Sequence, residues 1–128
     1  MDTAPASLGL DLLGDAEPLR AARRFVRVQA EQLGREEQGD DAVQVTAELL
    51  GDLGTGTRPV AVRVSEVDGA LQVGVDVRFV GDDGHGADRP AVSARTRDLL
   101  THLSTAWGWR PVDGGAHVWC RLPGPPAR

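Results

Sequence analysis

The sequence of 128 residues contains no lysine, isoleucine, asparagine or tyrosine, and only one cysteine. Every basic side chain other than histidine is therefore an arginine. Without lysine, no chemical step can use an ammonium group, and without asparagine no side-chain amide of that kind can hold a metal or a phosphate. These absences narrow the chemistry available to any site in the chain.

The single cysteine, Cys120, cannot form a disulfide within the chain. It lies in a segment of alternating polarity, 118–122, where a small buried apolar side chain is the usual role of cysteine. We therefore expect a core residue rather than a nucleophile.

The formal net charge is −5, and acidic residues are spread along the chain. No basic face is available for a phosphate backbone, so we expect no direct nucleic-acid binding.

No apolar run approaches the roughly 18 residues of a membrane span, and no basic segment followed by an apolar one opens the chain. We expect a cytoplasmic protein that does not bind membranes. The three histidines lack close metal-ligand spacing, so no metal site is expected.

Apolar periodicity predicts one domain over residues 7–122, preceded by a flexible segment at 1–6 and followed by a disordered tail at 123–128. Three helices over one face of a largely antiparallel sheet would bury all the apolar stripes, which predicts an α+β fold, a two-layer α/β sandwich. The predicted elements in chain order are a strand at 7–12, helices at 17–33 and 42–53, strands at 58–67 and 71–77 joined by Asp68-Gly69, a loop at 81–90, a helix at 90–107 and a strand at 117–122.

The second predicted helix is amphipathic, with Val45 and Leu49 on its apolar stripe. Asp40 and Asp41 stand before it, where their side chains can accept from its first amides. Glu48 falls beside the stripe rather than opposite it. We therefore expect its carboxylate at the edge of the packed surface, where a site would lie.

The first predicted helix carries arginines on one side. Arg20, Arg24 and Arg27 are spaced by four and three residues, and Arg23 lies close by. This side is either a solvated face without function or a docking surface for an acidic partner, because guanidinium groups bind carboxylates through two contacts.

Several local strings resemble one family. They are Ala-Arg-Arg-Phe-Val-Arg at 22–27, Asp-Asp-Ala-Val-Gln-Val-Thr-Ala-Glu-Leu at 40–49, Asp-Gly at 68–69, and Trp-Gly-Trp-Arg-Pro at 107–111 with Val-Trp at 118–119. Together with the order of elements, over residues 7–122, they resemble the histidine-kinase-like (GHKL) ATPases, and most closely the branch of anti-sigma factors that are serine kinases.

The resemblance implies a nucleotide site whose key positions are altered here. Glu48 matches the family's general base, and Asp52 stands where the family has a magnesium-binding asparagine. Aspartate can ligate magnesium, but it adds negative charge beside a triphosphate. The site's catalytic pair is therefore expected to be vestigial.

The adenine and phosphate motifs of the family are altered as well. The adenine-reading aspartate should fall near Val77, whereas the matching spelling, Asp82-x-Gly84-x-Gly86, lies about five residues later by count along the printed sequence. The glycines of the phosphate loop correspond to Ala94 and Thr96, whose side chains would fill the space that backbone amides need around phosphate.

From these losses we expect no cofactor and no kinase activity. The resemblance implies an anti-sigma factor of a bacterial partner-switching system, which regulates transcription in a stress response by sequestering a sigma factor. Its expected partners are that sigma factor and a STAS-type anti-anti-sigma protein, with Arg20 as the main contact and Arg23, Arg24 and Arg27 as support. Family members also dimerise through their sheets, which makes the strand at 7–12 a candidate edge for a homodimer.

Two alternatives remain open at this stage. One is an active serine kinase that uses Mg-ATP to phosphorylate the STAS-type protein. The other is a binding module for a small ligand, in which His85, Arg95 and Arg97 recognise an anion. The remaining histidines, His102 and His117, are expected to be ordinary helix and strand residues.

Overall fold

The computed structural model describes residues 7–52, 56–80, 90 and 92–123. Predictions that concern residues 1–6, residue 53, most of the loop at 81–90 and residues 124–128 lie outside this part of the chain. The strands are β1 (Ser7–Asp11), β2 (Thr57–Val67), β3 (Ala70–Phe79), β4 (Ala106–Val112) and β5 (Gly115–Arg121), and the helices are α1 (Pro18–Gln32), α2 (Gly39–Asp52), preceded by a 3₁₀ turn (Glu36–Gln38), and α3 (Ala94–Leu103).

The five strands form one antiparallel sheet in the order β1-β2-β3-β5-β4, so β1 and β4 are its edges. Side chains alternate between the two faces of the sheet. One face packs against the helices and carries the buried valines of β2, β3 and β5, including Val62, Val75 and Val118. We call the opposite face the free face. The predicted α+β, two-layer architecture is confirmed.

The core lies between the sheet and the helices. Because apolar residues recur at helical spacing, α1 buries Ala22, Val26 and Ala30, and α2 buries Val45 and Leu49. Burying one such large apolar side chain contributes roughly 1.5–3 kcal/mol relative to leaving it exposed. The largest fully buried side chains are Leu49, Leu71, Leu100, Leu122, Val26, Val45, Val62, Val64, Val73, Val75 and Val118.

Two turns follow from local residue chemistry. After α1, the Gly34 amide donates to Glu31 and the Arg35 amide to Ala30, which closes the helix with a left-handed glycine, φ 73°. Between β2 and β3, Asp68 and Gly69 both have positive φ, as a two-residue hairpin turn requires. The turn at Asp68-Gly69 was predicted from the sequence and is confirmed.

The boundaries predicted for the third helix are wrong at both ends. Ser93 caps α3, so the helix begins at Ala94 rather than Pro90, and it ends at Leu103 rather than at residue 107. Ser104 is extended, and its hydroxyl donates to the Leu100 carbonyl.

Residues 106–112 form β4, whereas the sequence predicted a helix as far as residue 107 and no further strand before residue 117. Trp107 pairs with Cys120 and Trp109 with Val118, so both tryptophans take the helix-facing side of the sheet. Their spacing of two residues suits a strand, but the apolar residues before them also continue a helical pattern. Pairing with β5 decides between the two.

Smaller differences concern the first two helices. Asp40 and Asp41 lie in the first turn of α2 rather than before it, and Asp40 accepts from Arg27 Nη2 at 2.9 Å. The acidic pair still suits the positive helix end. Within the part of the chain that the structure describes, no helix is both long and apolar enough to cross a membrane.

Candidate functional site

The positions singled out for a nucleotide site come together where the last turns of α2 meet the start of α3. Glu48 and Asp52 lie one helical turn apart on α2, and Ala94 and Thr96 lie in the first turn of α3. The fold therefore brings four of the predicted vestigial residues to one place. Their contacts show what each of them does there.

Glu48 is paired across this junction. Its Oε1 lies 3.4 Å from Arg95 Nη2, with the Glu48 side chain 28 % exposed and that of Arg95 84 % exposed. An ion pair of this kind is worth little to stability because water screens it. It does occupy the carboxylate that a general base would need to present to a hydroxyl proton.

Asp52 is a structural cap of α3. Its Oδ2 accepts from the Ser93 amide at 2.7 Å, and Ser93 Oγ accepts from the Thr96 amide at 3.2 Å. These bonds satisfy amides that would otherwise be unpaired at the start of the helix. The amides are therefore bonded within the chain instead of facing an empty phosphate cradle.

The two positions that replace the phosphate-loop glycines are ordinary helix residues. Ala94 and Thr96 lie in the α-helix, neither has a positive φ, and Thr96 is buried. A phosphate-binding loop needs a backbone that phosphate oxygens can approach closely. Here the amides of Thr96 and Arg97 in the first turn of α3 donate to Ser93 instead.

Val77, the described position of the predicted adenine site, has no polar side chain for an adenine contact. Val77 is buried on the helix-facing side of β3, as a member of the core. Asp82, Gly84, Gly86 and His85 lie outside the described residues. Among the residues that the structure does describe, no three or more His, Cys, Asp or Glu side chains come close enough together to hold a metal ion.

The arginines of α1 divide into different environments. Arg27 is bonded to Asp40, whereas Arg20 lies 3.8 Å from Glu17, a loose contact between exposed side chains. Arg23 and Arg24 are exposed. The predicted basic side is thus not one uniform surface.

A groove runs between α1 and the edge strand β1, with a volume of about 450 Å³. Its apolar part includes Leu10, Phe25 and Val28, and Val28 is 38 % exposed. Arg20 and Arg24 border the groove, together with Asp15 and Glu17. We call this the α1–β1 groove. This groove combines an apolar surface with the guanidinium groups of Arg20 and Arg24. Arg23 and Arg27 do not line it.

A polar cluster that sequence reasoning missed lies on the free face. Asp76 accepts from Arg63 Nε at 2.7 Å and from His117 Nδ1 at 2.5 Å. His117 is only 7 % exposed, although none of the helices in the described part of the chain packs on the free face. The expectation that His117 is an ordinary strand residue is therefore incomplete. Alternation within β3 and β5 places both residues on one face, but their pairing across strands distant in sequence needed the fold.

Cys120 is a core residue, as predicted. It is fully buried, and burial raises the pKa of its thiol to about 12. A thiol that stays protonated is a poor nucleophile.

Comparison of the chain with models of known protein families gives no match, and comparison with curated proteins gives none either. The family relationship drawn from the sequence therefore stays a prediction, and the contacts described above carry the functional argument.

Proposed function

We propose that this chain is an anti-sigma factor of the bacterial partner-switching type, which acts by stoichiometric capture of a sigma factor without binding ATP. The observation that carries the proposal is the α1–β1 groove, an apolar surface bordered by Arg20 and Arg24 on the helix that the family resemblance assigns to partner binding. Protein interfaces are anchored by apolar side chains and arginines of this kind.

The junction of α2 and α3 supports the absence of kinase chemistry. Glu48 is paired with Arg95, and Asp52 caps α3 through Ser93. A nucleotide would have to displace both contacts and then bind without a glycine loop. Each lost contact costs about 1–3 kcal/mol, so the combined loss would take ATP affinity below a useful level.

Capture can be tested with purified chain and a panel of alternative sigma factors, by calorimetry and by co-elution. Replacement of Arg20 and Arg24 by Glu should lower the affinity of the complex by at least about a hundredfold. Two positive charges at the interface become negative charges, which repel an acidic partner. Compared with the single exchange Arg20→Glu, Arg23→Glu makes the same charge change on α1 outside the groove and should retain most of the affinity.

Two results would contradict this assignment of the surface. One is unchanged binding by the Arg20→Glu, Arg24→Glu variant, and the other is an equal loss in the Arg23→Glu variant, since that would indicate general electrostatics rather than the groove. Thermal melts of the variants show whether the fold is retained. All these arginines are exposed, so little change is expected.

The kinase alternative makes an opposite prediction. It requires saturable Mg-ATP binding and transfer of labelled phosphate to a STAS-type anti-anti-sigma protein. We expect neither in calorimetry or in the transfer assay. Micromolar Mg-ATP binding would overturn the proposal, whatever the outcome with sigma factors.

A homodimer is also part of the proposal. Strand β1 is an edge of the sheet, and Leu8 on it is 44 % exposed. An exposed edge with apolar residues favours association with a second copy. Light scattering on the purified chain tests this, and Leu8→Glu should shift the mass towards that of one chain.

A further inference from the structure

The centre of the free face carries a group of side chains that the proposed function does not use. Asp76 on β3 lies directly opposite His117 on β5 in the strand register, and His117 lies directly opposite Arg110 on β4. Arg63 on β2 reaches Asp76 from the other side at 2.7 Å. Residues from four strands therefore meet above one row of the sheet.

Beside this row lies a small cavity of about 130 Å³. By volume it is about four times the share of one water molecule in the liquid. Among the described residues, its lining offers two guanidinium groups, an imidazole, a hydroxyl and an amide, and no carboxylate. The lining residues are Arg63, Ser65, Gln72, Gly74, Arg110 and His117.

The carboxylate beside His117 is already engaged. Asp76 uses Oδ2 for Arg63 and Oδ1 for His117, and its side chain is 15 % exposed. Because a carboxylate only accepts, the bond to Asp76 places the His117 proton on Nδ1. Nε2 has no hydrogen-bond partner among the described residues, and Arg110 has no ion-pair partner among them.

Gly74 holds the imidazole in place. A Cβ at this position would lie 2.6 Å from His117 Cε1 and 2.9 Å from Nε2, closer than real Cβ contacts. The ring can therefore lie over the strand only because residue 74 lacks a side chain. The ring is fixed by Asp76 on one side and by the sheet beneath it, so the site is organised before any ligand arrives.

We propose that this cavity binds one small oxyanion, of phosphate or carboxylate type, between Arg63 and Arg110 with His117 as the third contact. Two arginines against one engaged carboxylate leave a net positive charge. Planar guanidinium groups suit the two-point recognition of such anions. His117 Nε2 can accept from a protonated oxyanion, or donate to it when the ring is protonated.

The chain has three histidines, so proton NMR of their Hε1 resonances reads the site directly. His117→Gln identifies the resonance of His117. Inorganic phosphate and succinate are titrated in separate arms at constant pH, with chloride added to match the ionic strength. We expect a saturable shift of the His117 resonance in at least one arm, and the stronger arm identifies the class of anion.

Variants then test the named contacts. Arg110→Gln should lower the affinity for the anion by about tenfold or more, because a charge-assisted contact is lost. Arg23→Gln on α1 should leave that affinity unchanged. Arg110 is exposed, so this variant should retain its melting temperature. No saturable shift in either arm, or equal binding by the Arg110→Gln variant, would overturn the proposal. Neither result bears on capture at the α1–β1 groove.

Discussion

Replacing Gly74 by alanine places a methyl group against the imidazole of His117. The new Cβ would lie 2.6 Å from Cε1, 2.9 Å from Nε2 and 3.1 Å from the Val118 carbonyl oxygen. The ring can move, whereas the carbonyl belongs to the backbone of β5. We therefore expect the ring to swing away and to give up its bond to Asp76.

The expected loss follows from those contacts. A hydrogen bond to a charged group contributes about 1.5–3 kcal/mol, and forced packing in a filled space costs about 1–3 kcal/mol. Alanine recovers about 0.5–1 kcal/mol over glycine within a strand. The midpoints of these ranges give a fall of about 3.5 kcal/mol in the free energy of unfolding, which lowers the melting temperature by roughly 13 °C in a chain of this length.

A double-mutant cycle tests the cause. In the His117→Ala background the main clash is gone, so Gly74→Ala should change the free energy of unfolding by about 0.5 kcal/mol or less. Urea unfolding followed by tryptophan fluorescence and circular dichroism measures all four proteins. Gly108→Ala is a matched control on the same face, because its Cβ would lie 3.3 Å from Trp119 Cζ2, a tight contact rather than an overlap.

One result would refute this reasoning. If Gly74→Ala costs the same with His117 present and absent, the imidazole is not what the added methyl group displaces. The loss would then come from the Val118 carbonyl or from the strand itself.

Three further predictions concern other parts of the fold. Asp52→Ala removes the acceptor of the Ser93 amide and should lower the free energy of unfolding by about 1 kcal/mol, whereas Asp52→Asn keeps an oxygen and should cost less. Equal losses in thermal melts would contradict the capping role. Burial raises the pKa of Cys120 to about 12 from its ordinary 9.0. Native protein should therefore resist alkylation, and the stability contributed by the neutral thiol, full below pH 9.0, should fall as pH rises towards 12; rapid alkylation under native conditions at neutral pH would argue against a closed core. Gly69→Ala puts a Cβ at a φ of 80° and should cost about 1–2 kcal/mol in urea unfolding; no loss would mean that the turn has changed type.

Much of the fold was predictable because its signals are local. Alternation in β2 and β3, helical spacing in α1 and α2, and the turn chemistry of Gly34 and Asp68-Gly69 each depend on residues close together in the chain. The boundary after α3 was not predictable in this way. Residues 103–107 fit either period, and only the partner strand β5 selects the extended form.

The candidate sites show the same difference between what local sequence indicates and what contacts between elements decide. The sequence identified Glu48 and Asp52 as altered positions, but not that Arg95 and Ser93 occupy them. It identified Arg20 and Arg24 as part of a basic side, but not that they alone of the four α1 arginines border an apolar groove. These are contacts between elements, and residue spacing within one element carries no information about them.

By itself, the sequence determined the class of fold, the absence of lysine chemistry and the burial of Cys120, because each depends on composition or on short-range periodicity. Only the tertiary structure decided that Asp76 meets His117 and Arg63. Residues 76 and 117 are 41 positions apart, and their contact exists because β3 and β5 pair in one particular register, with Gly74 leaving room for the ring. A shift of that register by one residue would turn His117 to the other face of the sheet.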